Sequence, residues 1–495
     1  MNGVEHFGWV VFGVSLVALA AILSNRVSDW IRVPAPALFL VGAAVASDLF
    51  PALGSTRVET VQNVVTAALI MVLFDGGMGI GWRRLRPNIT AVLSVGVAGT
   101  AMTAAGIALF VHAILGFGWQ IALLLGTALS PTDPAVVFSV LGRREIVGRS
   151  GVLLEGEAGA NDPVGIALMA ALVGTAGMSG GGAVLSGLGE FAREMALGGL
   201  AGALGGWVLL QFMRRLPLPS EALYSMRTLA FAGVIYGLAT VTGGSGFLAV
   251  FVAGVVVGDP NAPYKREIER FHSAVASLAE VVAFVVLGLT ISLHDLGRVN
   301  ALWPGLLIAA VLTLLVRPVL VGLLLLPIRL RLGERLFVLW SGLKGAVPVL
   351  LGTFAFTSGI TGAERIYDIV FVVVTFSVVV QGGLVPTVAK WARVPMKTTQ
   401  LEPWALGMRF REQPTGLRRY RVATGSAADG TAIGDLAVGE NLWISMVNRE
   451  GRLVPVGRDT VLRAGDEVLA LADAERTDAD PGAAFSEPST DPHQE

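Results

Sequence analysis

The chain contains no cysteine, so a disulfide framework, a thiolate metal site and a cysteine nucleophile are all excluded. Charge is scarce, with only 15% of the 495 residues being Asp, Glu, Lys or Arg, and 54% are hydrophobic. A water-soluble protein of this length needs far more polar surface to cover its core. The five histidines are scattered, with no pair at helical spacing and no zinc signature. The formal net charge of -1 gives no electrostatic footprint for nucleic acid. Lysine is rare as well: Lys265, Lys344, Lys390 and Lys397 are the whole set, against abundant arginine. With plentiful Ala, Gly and Val, that bias suggests a GC-rich bacterial genome. No basic segment precedes the first apolar run, which therefore reads as a membrane span and not as a cleaved leader.

What the chain does have is long apolar stretches. A span needs about 20 mostly apolar residues to cross the hydrocarbon core. Thirteen stretches are candidates, at about 8–24, 33–49, 63–80, 90–114, 119–141, 151–175, 190–213, 227–242, 245–258, 274–293, 302–328, 335–357 and 366–389, the eighth and ninth being short. The boundary at Gly243-Gly244-Ser245-Gly246 is the least sharply marked. Loops after odd-numbered spans carry Arg26 and Arg32; Arg83, Arg84 and Arg86; Arg143, Arg144 and Arg149; Arg214, Arg215 and Arg227; Lys265, Arg266 and Arg270; and Arg329, Arg331 and Arg335. Loops after even-numbered spans carry Arg57, Arg298 and Arg365. Positive residues mark the cytoplasmic side, so the N-terminus is expected outside and the C-terminus in the cytoplasm.

The fold expected is an all-α polytopic membrane protein in contact with lipid, with a small α+β cytoplasmic domain. Residues 1–392 form the membrane domain and 393–403 a polar linker. Residues 404–474 carry strand-like alternation in Leu442-Trp443-Ile444-Ser445-Met446-Val447, a turn at Asn448-Arg449-Glu450-Gly451 and a last strand reaching Val468-Leu469. From 475 to 495 there is almost nothing to bury, and a disordered tail is expected.

An ionisable group at mid-membrane depth costs several kcal/mol, so each is a functional candidate. Asp133, Glu157, Asp162, Glu280, Arg317 and Lys344 lie at such depth, and Asp75 is a borderline seventh. Glu280 and Arg317 read equally well as a structural ion pair. The fifth span holds Ser130-Pro131-Thr132-Asp133-Pro134. Two prolines in four residues bar a regular helix. Freed carbonyls beside a carboxylate can replace part of a cation's hydration shell. The plainer reading is a proline kink with Asp133 capping the second half-helix, and the two are compatible.

The sixth span holds Glu155-Gly156-Glu157-Ala158-Gly159-Ala160-Asn161-Asp162-Pro163. Glu157 and Asn161 share one helix face; Glu155 and Asp162 share another. A carboxylate beside an amide, opposite the Asp133 break, offers an all-oxygen set for a hard cation. Three acids in eight residues are too costly for helix packing alone. The twelfth span, with Gly342-Leu343-Lys344-Gly345-Ala346-Val347-Pro348, is a second interrupted helix. If spans 1–6 and 8–13 are two six-helix repeats of opposite orientation, the two breaks occupy matching positions, which marks a transporter's midplane site. Lys344 would neutralise half-helix ends at the crossing, or else bridge to Glu157.

These motifs, with Leu73-Phe74-Asp75-Gly76-Gly77, resemble the NhaP-type branch of the cation:proton antiporter superfamily over residues 1 to about 392. The resemblance implies a thirteen-helix homodimer in which a core domain moves against a dimerisation domain. It also implies that Asp162 binds the cation or a proton, that Thr132 and Asp133 complete the site, and that Glu157 helps organise it. Asp162 and Asp133 would thus be the carboxylates on the monovalent cation, K+ or Na+, with Asn161 beside them. Lys344, Arg317, Glu155 and Glu280 would be supporting charges. The Asn-Asp pair goes with electroneutral exchange. No cofactor is implied, and no catalytic residue: the chain reads as a transporter, not an enzyme.

Two departures bear on the ion. Sodium-exchanging members often have Ser where this chain has Ala158, and Arg where it has Lys344. Residues 404–474 look like the C-terminal subdomain of potassium-transport regulatory proteins (TrkA-C, or RCK-C), which implies a small cytoplasmic ligand, a cyclic dinucleotide, or a merely dimer-stabilising role. Both clues favour potassium over sodium. A regulated cation channel gated by the C-terminal domain is the alternative function, but the chain has no repeated selectivity filter. A two-aspartate intramembrane protease would need a Gly-x-Gly-Asp setting that is missing. The expected location is the bacterial cytoplasmic membrane.

Overall fold

The computed structural model describes residues 34–50, 53–54, 56–141, 144–175, 181–258, 264–294, 301–398, 417–436, 442–449, 452–472 and 484–485, with single positions at 5 and 8. The first candidate span falls almost wholly outside these residues, as do linker residues 399–403 and most of the tail. The chain divides into two units, residues 1–400 and 401–495.

Among its described residues the first unit is helical apart from one two-stranded ribbon. Its helices are α1 (Ala35–Leu49), α2 (Val58–Leu85), α3 (Gly99–Leu115), α4 (Trp119–Ala128), α5 (Pro134–Leu141), α6 (Arg149–Gly174), α7 (Gly181–Arg215), α8 (Glu221–Val241), α9 (Gly246–Val257), α10 (Lys265–Leu289), α11 (Leu302–Val311), α12 (Leu332–Trp340), α13 (Ala346–Thr357), α14 (Ala363–Phe376) and α15 (Val385–Trp391). Among the described residues, six helical stretches are long and apolar enough to cross a membrane, and α1, α4, α9 and α13 are shorter apolar helices. Helices suit a bilayer because each satisfies its own backbone hydrogen bonds. Large apolar side chains such as Leu200, Leu204 and Trp207 on α7 and Val234 and Leu238 on α8 stand exposed. In water that would be an aggregation liability; in lipid it is the expected outer surface.

The break at Gly243-Gly244 is real. Gly243 adopts a positive φ of 78°, and the Ser245 hydroxyl accepts from the Leu248 amide at 3.3 Å to start α9. Three membrane helices carry π turns: Ser94–Ala98 before α3, Leu312–Val321 after α11, and Ser377–Gly382 after α14. The second contains Pro318, whose missing N–H accounts for the widened turn directly after Arg317.

The helices sort into two packed sets. In one, α2 lies against α9 and α10, α9 against α7 and α8, and α10 against α1. In the other, α4 lies against α3, α6 and α13, and α14 against α11 and α13. The sets meet chiefly along α6, which contacts α7, α2 and α9, and also where α13 contacts α10 and α2. A two-stranded ribbon, β1 (Arg144–Ile146) with β2 (Met396–Thr398), ties the end of the broken fifth span to the residues after α15.

The second unit is a four-stranded antiparallel sheet of order β3-β6-β4-β5, built from β3 (Leu417–Arg421), β4 (Leu442–Arg449), β5 (Arg452–Val454) and β6 (Glu467–Ala472). β4 and β5 close the expected hairpin, with Arg449 paired to Arg452. Val422, Ala428, Ile444, Val447, Leu462, Val468, Ala470 and Phe485 form its core. Phe485 lies beyond the point where the sequence offers little to bury, yet it is 1% exposed and stacks on Tyr420 at 4.8 Å. Backbone amides of Ala423 and Ala428 donate to the carbonyls of Phe485 and Ala484. Ala484 and Phe485 therefore belong to the packed unit.

Candidate functional site

The site is built where two helices are interrupted. The fifth span stops at Ala128 and resumes at Pro134; the twelfth stops at Trp340 and resumes at Ala346. The two unwound segments are hydrogen-bonded to one another, the Asp133 amide donating to the Leu343 carbonyl at 2.8 Å.

Four half-helix ends meet here, and each exposes unsatisfied backbone groups. The Asp133 carboxylate accepts from the Ala135 amide at 2.9 Å and also from the amides of Val136 and Ala346. It therefore caps the N-termini of both α5 and α13, where negative charge is favoured. Lys344 does the converse. Its Nζ donates to the carbonyls of Ser130 and Pro131 at 3.1 and 2.9 Å, beyond the end of α4. Of the two roles open to Lys344 from sequence, the geometry is that of neutralising half-helix ends, not of bridging to Glu157. Gly345 is required by close approach: a Cβ there would collide with the Asp133 carboxylate.

Glu157 instead grips Arg317. The two make a fork, Nη1 to Oε1 at 2.8 Å and Nη2 to Oε2 at 3.1 Å, with both side chains 3% exposed. Arg317 also donates to the carbonyls of Leu339 and Val338 at the end of α12. Planar bidentate pairing plus two further acceptors satisfies a buried guanidinium almost completely. Gly342 leaves room for it, since a Cβ there would overlap the guanidinium. Arg317 is therefore not the partner of Glu280.

The remaining groups are Thr132, Asn161 and Asp162. The Asn161 Nδ2 donates to the Thr132 hydroxyl at 2.7 Å, which turns the amide oxygen the other way. That Oδ1 has no hydrogen-bond partner, and neither does the Asp162 Oδ1. Asn161 is 1% and Asp162 9% exposed. Asp162 lies within electrostatic reach of both Asp133 and Lys344. Pro163, inside α6, has no N–H to give the Gly159 carbonyl one turn back. Buried oxygens without donors are costly unless something else occupies them. Their chemistry, all hard oxygen, suits an alkali cation or a proton. Ala158, 4% exposed, adds no oxygen.

Glu155 stands apart, 3.8 Å from Arg84 of α2. Asp75 lies within electrostatic reach of Glu269 of α10. Glu280 is on α10, close enough to Asp133 for the two carboxylates to repel, and its Oε1 is a third buried oxygen without a partner.

Sequence reasoning missed the groups that hold the second unwound segment open. The Ser377 hydroxyl accepts from the Lys344 amide at 2.9 Å and donates to Gln381 Oε1 at 3.0 Å. Gln381 Nε2 donates to the Trp340 carbonyl at 2.6 Å, and Trp340 Nε1 donates to the Gln381 carbonyl at 3.1 Å. A signal was present: Ser377 and Gln381 lie four apart in an otherwise apolar run, on one face of a helix.

Residues 14–391 match the family described as "Sodium/hydrogen exchanger, transmembrane", and residues 417–479 match the TrkA-C domain. The chain is 32% identical over 395 residues to a K(+)/H(+) antiporter NhaP of Alkalimonas amylolytica, covering 79% of this chain and 68% of that one. It is 30% identical over 487 residues to a K(+)/H(+) antiporter NhaP2 of Shewanella oneidensis, covering 97% and 84%. Among solved structures it resembles the sodium proton antiporter MjNhaP1 of Methanocaldococcus jannaschii at pH 8, with a TM-score of 0.64 at 21% identity over 79% of this chain and 98% of that one.

Proposed function

The chain belongs to the sodium/hydrogen exchanger family, and from that premise we propose that it exchanges a monovalent cation for protons across the bacterial cytoplasmic membrane. The observation that carries the reading is the partnerless Asp162 carboxylate oxygen, with the partnerless Oδ1 of the preceding Asn161, at a crossing where Asp133 and Lys344 are engaged by helix ends.

Asp133 and Lys344 are committed to helix ends, and Glu157 to Arg317. Asp162 is left to hold the transported charge. One carboxylate can be neutralised by one cation or by one proton, not both. Competition at that oxygen couples the two flows. Asn161 Oδ1, the Thr132 hydroxyl and Asp133 supply the further oxygens that replace water around the ion. Because the loaded site carries the same charge with either occupant, each cycle moves no net charge. This supports electroneutral exchange. Supporting a mobile core are the two helix sets, which meet mainly along α6, against α7, α2 and α9, with smaller contacts at α10–α13 and α2–α13. Alternating access then consists of one set moving against the other.

The finer architecture belongs to the same proposal: thirteen spans, two inverted six-helix repeats, an external N-terminus, a cytoplasmic C-terminus and a homodimer. Potassium is the favoured cation. Ala158 withholds a hydroxyl, so the site demands less dehydration compensation and suits the larger, more weakly hydrated ion. The relatives named as K(+)/H(+) antiporters support that choice. The TrkA-C-like domain is proposed to regulate exchange by binding a small cytoplasmic ligand, a cyclic dinucleotide being the class that fits.

The test is reconstitution into vesicles holding a quenched pH dye, with each alkali cation added in turn. Wild-type protein is expected to restore fluorescence on potassium addition, and Asp162→Asn to abolish the response while remaining folded. An amide neither takes up a proton near neutral pH nor supplies the charge that one cation or one proton neutralises, so exchange by that variant above a few per cent of wild type would sink the assignment.

A further inference from the structure

Glu280 is a mid-membrane charge with no part in the exchange cycle described above. It lies on α10, in the helix set opposite the one that carries Asp162 and Asn161. α10 packs against α13, whose first residue, Ala346, donates to the Asp133 carboxylate. Glu280 therefore reaches the crossing from the facing wall, close enough to Asp133 for the carboxylates to repel. Both buried cations nearby are otherwise engaged, Arg317 with Glu157 and Lys344 with the Ser130 and Pro131 carbonyls. The Glu280 Oε1 is buried and has no hydrogen-bond donor. A structural ion pair would show the opposite pattern, a carboxylate matched by a fixed cation.

Three buried oxygens without donors thus belong to residues at or coupled to the Thr132-Asp133 break: Asn161 Oδ1, bonded through its amide nitrogen to Thr132, and Asp162 Oδ1 and Glu280 Oε1, on carboxylates that feel the Asp133 charge. Two come from α6 and one from α10. We propose that Glu280 is a positioning residue for the transported cation, supplying an oxygen from the wall opposite Asp162 that draws the ion onto the site. This rests on the antiport reading and adds a residue to it. Because its helix belongs to the other set, the Glu280 oxygen can serve the ion only while the two sets are apposed as they are in this structure. Movement of the core removes it, which loosens the ion for release.

The experiment compares wild type with Glu280→Gln and Glu280→Asp, in full-length protein reconstituted in vesicles. Initial rates are measured over a potassium series at fixed pH. Losing one charged ligand oxygen is expected to raise the apparent KM for potassium by about tenfold in Glu280→Gln, with little change in maximal rate. Glu280→Asp, which keeps the carboxylate, should recover most of the affinity. An unchanged KM in Glu280→Gln overturns the proposal, as does a Glu280→Asp variant no better than Glu280→Gln. Potassium-dependent protection against heating, read on the detergent-solubilised protein, keeps the question decidable if a variant fails to reconstitute. A wild-type midpoint in Glu280→Gln overturns the proposal there too, and a midpoint shifted to higher potassium supports it. If wild-type protein exchanges no cation at all, the antiport reading fails, and the same protection titration still decides whether Glu280 holds the ion.

Discussion

At the scale of single residues, charge is sorted by what each side chain can find as a partner. The α6 sequence places two acids and an amide within six residues, yet they do three different things. Glu157 is locked to Arg317, Asn161 is turned by Thr132, and Asp162 keeps an oxygen free. The residue types and their depth were legible from sequence, because a charge in an apolar run is conspicuous. The pairings were not. Arg317 lies 160 positions from Glu157, and nothing local distinguishes Glu157 from Glu280 as its partner. Ala158 offers a test at this scale. It sits in the same turn as Asn161, and a hydroxyl there would give one more oxygen to a strongly hydrated ion. Ala158→Ser is expected to lower the apparent KM for sodium relative to potassium. Paired rate titrations with the two cations read this directly, and an unchanged ratio removes the selectivity argument.

At the scale of elements, the crossing depends on two interruptions made in different ways. Pro131 and Pro134 break the fifth span by removing donors, a local effect that can be read from the chain. The twelfth span has its proline at Pro348, inside α13, and is held open by Ser377 and Gln381 of the thirteenth span, which bond to Lys344 and to Trp340 at the end of α12. The break itself was expected from Gly342, Gly345 and Pro348, but its supports belong to another span and came only with packing. Gly345 provides the sharpest probe of this geometry. Adding a methyl at this position, Gly345→Ala, drives it into the Asp133 carboxylate. Asp133 must then leave one of the two helix ends it caps. Exchange is expected to fall by more than about tenfold, the equivalent of roughly 1.4 kcal/mol, while helical content by circular dichroism stays unchanged. Wild-type exchange in this variant would mean that Asp133 does not need to cap both ends.

At the scale of the whole molecule, the chain is two units with separate cores, and each makes its own prediction. In the C-terminal unit, Arg449 forks onto Asp466 at 2.9 and 2.8 Å, and the Arg463 amide adds a third donor at 2.8 Å. Hydrogen bonding to Arg449 holds the Asp466 carboxyl below its ordinary 3.8. A lowered carboxyl stabilises the fold fully above its unfolded value and loses that contribution as pH falls through the folded value. The unit should thus be indifferent to pH between about 5 and 8 on this account, and weaken only below about 4. Asp466→Asn should make it more susceptible to protease at pH 7 in the full-length protein, and the difference from wild type should shrink in acid. A difference that persists undiminished in acid would exclude the ion-pair explanation. Because the unit has its own core and carries none of the site residues, deleting residues 400–495 is expected to leave exchange intact and to change its regulation. Unchanged rate, pH profile and response to cyclic dinucleotides in a folded truncation would end the regulatory reading. The sequence by itself determined that this is a membrane protein with broken helices, a buried acidic motif and an appended sheet domain. Those features follow from local composition, from apolar length and from proline chemistry, all of which act within a few residues. Only the tertiary structure decided which charges cancel, which helix ends Asp133 and Lys344 cap, and which oxygens remain without a donor. Such matching is set by distances across helices far apart in the chain, where a contact of about 3 Å separates a structural ion pair from a vacant ligand.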